Sequence, residues 1–216
     1  PEGVDDRHAA AMMLQGMTAQ FLLRRTYNVQ KGDTILVHAA AGGVGLIMCQ
    51  WARHLGATVI GTVGSDAKAE LAKANGCDHP IVYTRENFKD RVREITKGDG
   101  VPVVYDSIGR DTFLNSLDCL RPFGLMVTFG NASGPVEPFN PAIMGAKGSL
   151  FLTRPTLFTH IAKRPALLEI AGELFDVVKK GAVKISINQT YALKDAAQAH
   201  RDLEARKTTG STVLLP

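Results

Sequence analysis

The sequence predicts an α/β protein with a doubly wound, parallel sheet of six strands. Short apolar runs alternate with stretches of helical spacing from residue 34 to residue 153, and a glycine-rich turn joins the first run to the helix after it. Size and composition agree. A chain of 216 residues, 45% hydrophobic and 21% charged with a mean hydropathy of zero, can enclose a sizeable core without disulfide or metal support. No apolar run reaches the roughly 18 residues that a membrane span needs.

Taken in order, residues 6–25 place Ala10, Met13, Leu14, Met17 and Phe21 on one face of a helix that ends near Tyr27 and Asn28. Residues 34–39 form the nearly continuous apolar run of a central parallel strand, covered on both faces. Val44, Ile47, Met48, Trp51 and Leu55 then return to helical spacing, and Gly56 supplies the stop. Strands at 58–63, 80–83, 101–105, 124–129 and 148–153 alternate with helices at 66–75, 88–95 and 113–120. Right-handed crossovers give the strand order 3-2-1-4-5-6 and put the ligand crevice outside the carboxyl ends of strands one and four. Glycine and proline breakers between residues 131 and 147 predict a loop over that edge. Further on, an amphipathic helix at 166–180, an extended stretch at 183–193, an alanine-rich helix at 195–206 and a strand at 212–216 leave the alternation, and they are expected to pair with something outside this chain.

Composition narrows the function. The net charge of +4, from 25 basic and 21 acidic residues, suits phosphate binding but is too mild to indicate nucleic acid. With 6% aromatic residues and no interleaving of aromatic and basic side chains, no nucleic-acid partner is expected. Cys49, Cys77 and Cys119 form no C-x-x-C pair, so neither a disulfide framework nor a cysteine-rich zinc site is expected, and a reducing, cytoplasmic setting is. The opening Pro1-Glu2-Gly3-Val4-Asp5-Asp6 has no charged and apolar leader pattern, so no secretory signal is expected. The six histidines are scattered, and His38, within a strand, and His54, at a helix end, read as structural. With no H-E-x-x-H, G-x-S-x-G or P-loop pattern, no catalytic side chain and no metal site is assigned.

The chemistry lies in Ala39-Ala40-Ala41-Gly42-Gly43-Val44-Gly45, which comes directly after the first strand and opens a helix. Read from Ala40 it is A-x-G-x-x-G: Gly42 admits backbone to a pyrophosphate, Gly45 lets helix pack on strand, and the helix N-terminus supplies free N–H groups. Alanine at the first position departs from the usual glycine. Strand before and helix after turn a weak glycine pattern into a dinucleotide site. An NAD enzyme places an acid at the end of the second strand, but here Val63-Gly64-Ser65 stands there, with Lys68 one turn on. Gly64 and Ser65 offer donors and Lys68 a positive charge, which points to NADP(H); the alternative for Lys68 is a solvated surface lysine. Asp66, the counter-argument, reads as a helix cap.

Three motifs carry a closer likeness: the Ala39–Gly45 loop, Val104-Tyr105-Asp106-Ser107-Ile108-Gly109-Arg110-Asp111, and Phe129-Gly130-Asn131-Ala132-Ser133-Gly134. Together with residues 148–155 and 203–210 they resemble the NADPH:quinone oxidoreductases, the zeta-crystallin-like branch of the zinc-independent medium-chain dehydrogenases, from the first helix to Pro216. The resemblance implies a Rossmann-type cofactor domain at 29–155, a linking helix at 1–28, and 156–216 returning toward a GroES-like catalytic domain that this chain mostly lacks. It implies Gly43 and Val44 at the pyrophosphate, and Gly64, Ser65, Lys68 and Tyr83 around the 2′-phosphate, with Tyr83 reading equally as a strand-end core aromatic. Ser107 is expected beside adenine and ribose, and Phe129, Gly130 and Asn131 toward the nicotinamide. Thr18, Thr153 and Arg206 are added on the resemblance alone; by its place in the helix Thr18 suits the helix core better, and Arg206 also reads as the positive charge favoured at a helix C-terminus.

The implied activity is hydride transfer from NADPH to a quinone, with reduction of enones or other activated alkenes as the alternative. A non-catalytic crystallin-like or RNA-binding role is the remaining one. The sixth strand, at 149–153, is apolar with no lysine or proline inside it, and the resemblance implies a homodimer formed along that edge.

Overall fold

A computed structural model describes residues 2–216. Six strands run β1 (Thr34–Val37), β2 (Thr58–Val63), β3 (His79–Val82), β4 (Val101–Asp106), β5 (Leu120–Thr128) and β6 (Phe151–Thr153). They form one parallel sheet in the order β3-β2-β1-β4-β5-β6, as the alternation predicts. This is a Rossmann-type fold. Successive side chains point to opposite faces, so Ile35, Val37, Val59 and Val127 enter one core while Leu36, Ile60, Ile81 and Met126 enter the other.

The first core is covered by α1 (Asp6–Phe21), α2 (Gly43–His54), α3 (Asp66–Ala74) and, later in the chain, a 16-residue helix at Arg164–Lys179. The second is covered by α4 (Phe88–Ile95), α5 (Phe113–Leu117) and α6 (Ala142–Ala146). After these come α7 (Leu157–His160), α8 (Arg164–Lys179), β7 (Ile187–Ala192), α9 (Ala196–Glu204) and β8 (Ser211–Leu215). No helix of the described residues is long and apolar enough to cross a membrane. Cys49, Cys77 and Cys119 are all free and buried, and burial pushes the Cys119 thiol up to about 12.

Several elements differ from the sequence reading. In α1 the buried residues include Ala11, Met12, Gly16 and Ala19 beside Met17 and Phe21, whereas Ala10 is exposed and Leu14 is 61% exposed. The helix is wedged between α2, α8 and β8, so coverage from three sides displaces the single stripe; at Gly16 a Cβ would stand 2.5 Å from the Leu174 side chain. Past Phe21 it widens into a π-turn at Leu22–Thr26, where the Tyr105 hydroxyl donates to the Leu22 carbonyl at 3.1 Å.

The predicted helix at 113–120 stops at Leu117 because the sheet claims Cys119 and Leu120: Val101 N–H donates to the Cys119 carbonyl and Leu120 pairs with Val101. Strand β5 therefore starts at Leu120 and kinks before resuming at Leu125. Strand β6 is shorter than 148–153, since Gly148 (φ 111°) and Ser149 (φ 56°) are left-handed. The loop at 131–147 contains α6, and α7 has no counterpart in the sequence pattern. Finally, β7 and β8, expected to pair outside this chain, pair with each other in parallel, and Gly210 bridges to Gly42.

Among the glycines, Gly45 has the closest approach of backbone to where a Cβ would stand, at the end of β1. A Cβ there would overlap the Ala39 carbonyl oxygen and stand 2.8 Å from Ala40 Cα, both backbone atoms that cannot swing aside. Gly45→Val is expected to cost about 3 kcal/mol, read as a lower urea midpoint at unchanged slope; an unchanged midpoint would show that the contact carries no such constraint.

Candidate functional site, a crevice at the switch point

Strands β1 and β4 are neighbours, but the chain leaves β1 for the α2 face and β4 for the α5 face. The two exits part, and a crevice opens at the carboxyl edge between them. Its near wall is the turn after β1. Ala39 takes a positive φ of 54°, Gly42 N–H donates to the Ala39 carbonyl at 2.9 Å, and Gly42 caps α2 without a side chain. The first intrahelical bond runs from Leu46 N–H to the Gly42 carbonyl, so Gly43, Val44 and Gly45 keep N–H groups with no acceptor inside the helix. These N–H groups and the helix dipole favour an anion.

A cleft of about 260 Å³ lies there, lined by Gly42, Gly43, Gly64, Lys68, Tyr83 and Arg206, all of them expected site residues. The Ser65 side chain caps α3 by accepting from Lys68 N–H at 3.4 Å, and its hydroxyl proton stays available for donation. Asp66 is thus the first helical residue rather than the cap expected of it, and Arg85 neutralises it at 2.6 Å. Lys68 Nζ donates to the Arg206 main-chain carbonyl at 2.7 Å, and both residues line the cleft. Tyr83 is 43% exposed, one residue beyond β3, and its hydroxyl would stand 3.0 Å from a Cβ on Gly64; it is a wall of the cleft rather than a core aromatic.

Val44 and Gly45 belong to the first turn of α2 without lining the cleft. Ser107, Phe129, Gly130 and Asn131 sit together past the ends of β4 and β5, where Phe129 N–H donates to the Asp106 carbonyl at 2.8 Å and Gly130 lies against the Ser107 backbone. Thr153 ends β6, and the Thr18 hydroxyl donates to the Leu14 carbonyl within α1 at 2.7 Å. Buried Asp106 holds the β4 exit by accepting from Ile108 N–H (2.7 Å), Gly109 N–H (3.1 Å) and the Thr112 hydroxyl (2.8 Å).

Other lining residues are not among those the sequence assigns to the site. Ile108, rather than its neighbour Ser107, faces both this cleft and an adjoining cavity of about 350 Å³ walled by His38, Thr62, Glu86, Asn87, Phe88 and Asn115. Gln15 touches the cleft beside Gly43 and accepts from the Ser211 hydroxyl. Thr208, Thr209 and Gly210 line it too; they lie within the 203–210 motif, from which the sequence reading takes only Arg206.

Residues 43–170 match the family described as zinc-binding dehydrogenase. The chain belongs to that family. It is 55% identical over 216 residues to a quinone oxidoreductase of Pseudomonas aeruginosa, covering all of this chain and 66% of that protein. A 2-haloacrylate reductase of Burkholderia is 52% identical over 214 residues, covering 99% of this chain and 64% of that protein. The solved structure of Escherichia coli quinone oxidoreductase complexed with NADPH superposes with a TM-score of 0.98 at 49% identity, over all of this chain and 67% of that one. The chain thus spans about two thirds of the length of these relatives.

Proposed function

We propose that this chain is the cofactor-binding part of an NADPH-dependent reductase that passes a hydride to a quinone. The observation that carries the reading is the crevice itself: acceptor-free N–H groups at the start of α2, no acid at the end of β2, and Lys68 and Arg206 at the mouth beside Gly64. The E. coli relative's complex with NADPH supports it. On this reading the Gly43 and Val44 N–H groups hold the pyrophosphate, while Ser65, Lys68, Tyr83 and Arg206 surround the 2′-phosphate. Gly42 and Gly45 let backbone come close, and the ribose and adenine lie toward Ile108 and the adjoining cavity. Ser107 is assigned beside adenine and ribose, and Phe129, Gly130, Asn131, Thr153 and Thr18 to the nicotinamide half, where Thr18 would act from α1.

When bound, NADPH supplies the hydride, and the protein's part is orientation and exclusion of water. No acid–base side chain is assigned. A zinc ion does not fit the residues present: among those described, no group of three or more His, Cys, Asp or Glu side chains could hold a metal. It is the alanine-rich form of the Ala39–Gly45 loop, shared with the zinc-free branch that the sequence resembles, on which we read the chain as zinc-independent. We assign residues 1–28, 29–155 and 156–216 to a linker, the cofactor domain and a return toward a GroES-like catalytic domain. The free thiols suit a cytoplasmic setting.

One relative favours a second reading, since the Burkholderia protein is named for reducing an activated alkene. Turnover of a quinone against an enone or 2-haloacrylate by the full-length protein decides between them. For the cofactor, Lys68→Ala is expected to raise the NADPH dissociation constant by about ten- to a hundredfold, the worth of a charged hydrogen bond, and to leave that for NADH nearly unchanged. Equal losses for both would remove the 2′-phosphate assignment.

We also propose a homodimer along β6, whose Phe151 and Leu152 are 59% and 41% exposed on an open sheet edge. Sedimentation should give a dimer, and Leu152→Lys should shift it toward monomer; a wild-type monomer at micromolar concentration would contradict this.

A further inference from the structure

The adjoining cavity has a floor with a definite hydrogen-bond polarity. The buried His38 ring joins two elements, with Nδ1 2.8 Å from the Thr62 hydroxyl on β2 and Nε2 2.9 Å from the Ser116 hydroxyl on α5. The Ser116 hydroxyl donates its one proton to the Thr112 carbonyl at 2.8 Å, an oxygen that can only accept. With that bond made, Ser116 offers a lone pair toward His38, and the tautomer that fits carries its proton on Nε2. Burial holds the imidazole below its ordinary pKa, against a weaker opposing pull from Asp106, so the ring is neutral near pH 7. A neutral ring protonated on Nε2 accepts at Nδ1, which leaves Thr62 as the donor. The Thr62 proton is committed to His38, and toward the cavity its oxygen can only accept. Phe88, edge-on to His38 at a centroid distance of 5.0 Å, closes the side of this floor.

We propose that His38 and Thr62 are specificity-determining residues: the imidazole fixes Thr62 as an acceptor, and the cavity selects a purine edge bearing an amino group over one bearing a carbonyl. The inference rests on the dinucleotide reading above and adds the chemical sense in which the base is read. A 6-keto purine would set one acceptor against another, leaving a buried polar group unpaired.

The test is calorimetric titration with NADPH and with its hypoxanthine analogue, in which the 6-amino group is replaced by a carbonyl. Wild type is expected to bind the analogue about tenfold more weakly. Thr62→Val, which keeps the shape and removes the acceptor, should bind both alike, and Thr62→Ser should restore the preference. Nitrogen NMR of the histidines should show His38 as the Nε2–H tautomer. Tight and equal binding of both compounds by wild type, or a His38 proton on Nδ1, would overturn the proposal and leave the dinucleotide reading intact. Failure of wild type to bind either compound would overturn the dinucleotide reading itself, and the proposal with it.

Discussion

Everything at the crevice depends on how closely the start of α2 approaches the end of β1. Gly45 carries no side chain, so the first turn of the helix rests directly on the Ala39 and Ala40 backbone. That contact aims the acceptor-free N–H groups of Gly43 and Val44 at the carboxyl edge of the sheet, beside the opening where β1 and β4 part. Layers below respect the same geometry: a Cβ on Gly61 would stand 2.6 Å from both the Ala40 Cβ and the Cys77 Sγ. From the other side, Gly210 N–H donates to the Ala41 carbonyl at 3.2 Å, so the C-terminal strand pair is anchored to the same turn. A loop that binds by its backbone must be held by its backbone, and this one is held from three directions.

Two different electrostatic solutions share the crevice. At the mouth, charge is exposed and positive: Lys68 and Arg206 both line the cleft, and Asp66 nearby is paired with Arg85. Such charges attract a phosphate but are screened by water and salt. Deeper in, His38, Thr62 and Ser116 are buried and uncharged, and the network runs on through half-buried Thr112 to the Asp106 carboxylate. Charge at the mouth suits affinity for a phosphate; ordered neutral donors and acceptors inside suit discrimination of shape and edge.

Much of this is legible in the sequence because it rests on local spacing. The strand order, the switch point, the glycine turn and the missing acid at Gly64 all come from contiguous residues, and the structure agrees. What the sequence conceals depends on partners distant along the chain. Leu14 sits on a good apolar stripe yet is exposed, because α2, α8 and β8 decide which side of α1 is covered. Cys119 and Leu120 continue a helical pattern yet join the sheet, since a bond to Val101 takes precedence. Strand position favours Ser107 over Ile108, but it does not tell which neighbour turns inward after Asp106 bends the chain. His38 reads as structural from its strand, and its hydrogen bond to Ser116, 78 residues away, is not visible in the local pattern.

The most direct test of the account is a crystal structure of the protein with NADPH. The diphosphate is predicted on the N–H groups of Gly43 and Val44, with the 2′-phosphate between Gly64, Lys68 and Tyr83 and the base toward Thr62. A diphosphate seated away from the start of α2, or a 2′-phosphate turned out to solvent with Lys68 still bonded to the Arg206 carbonyl, would contradict it.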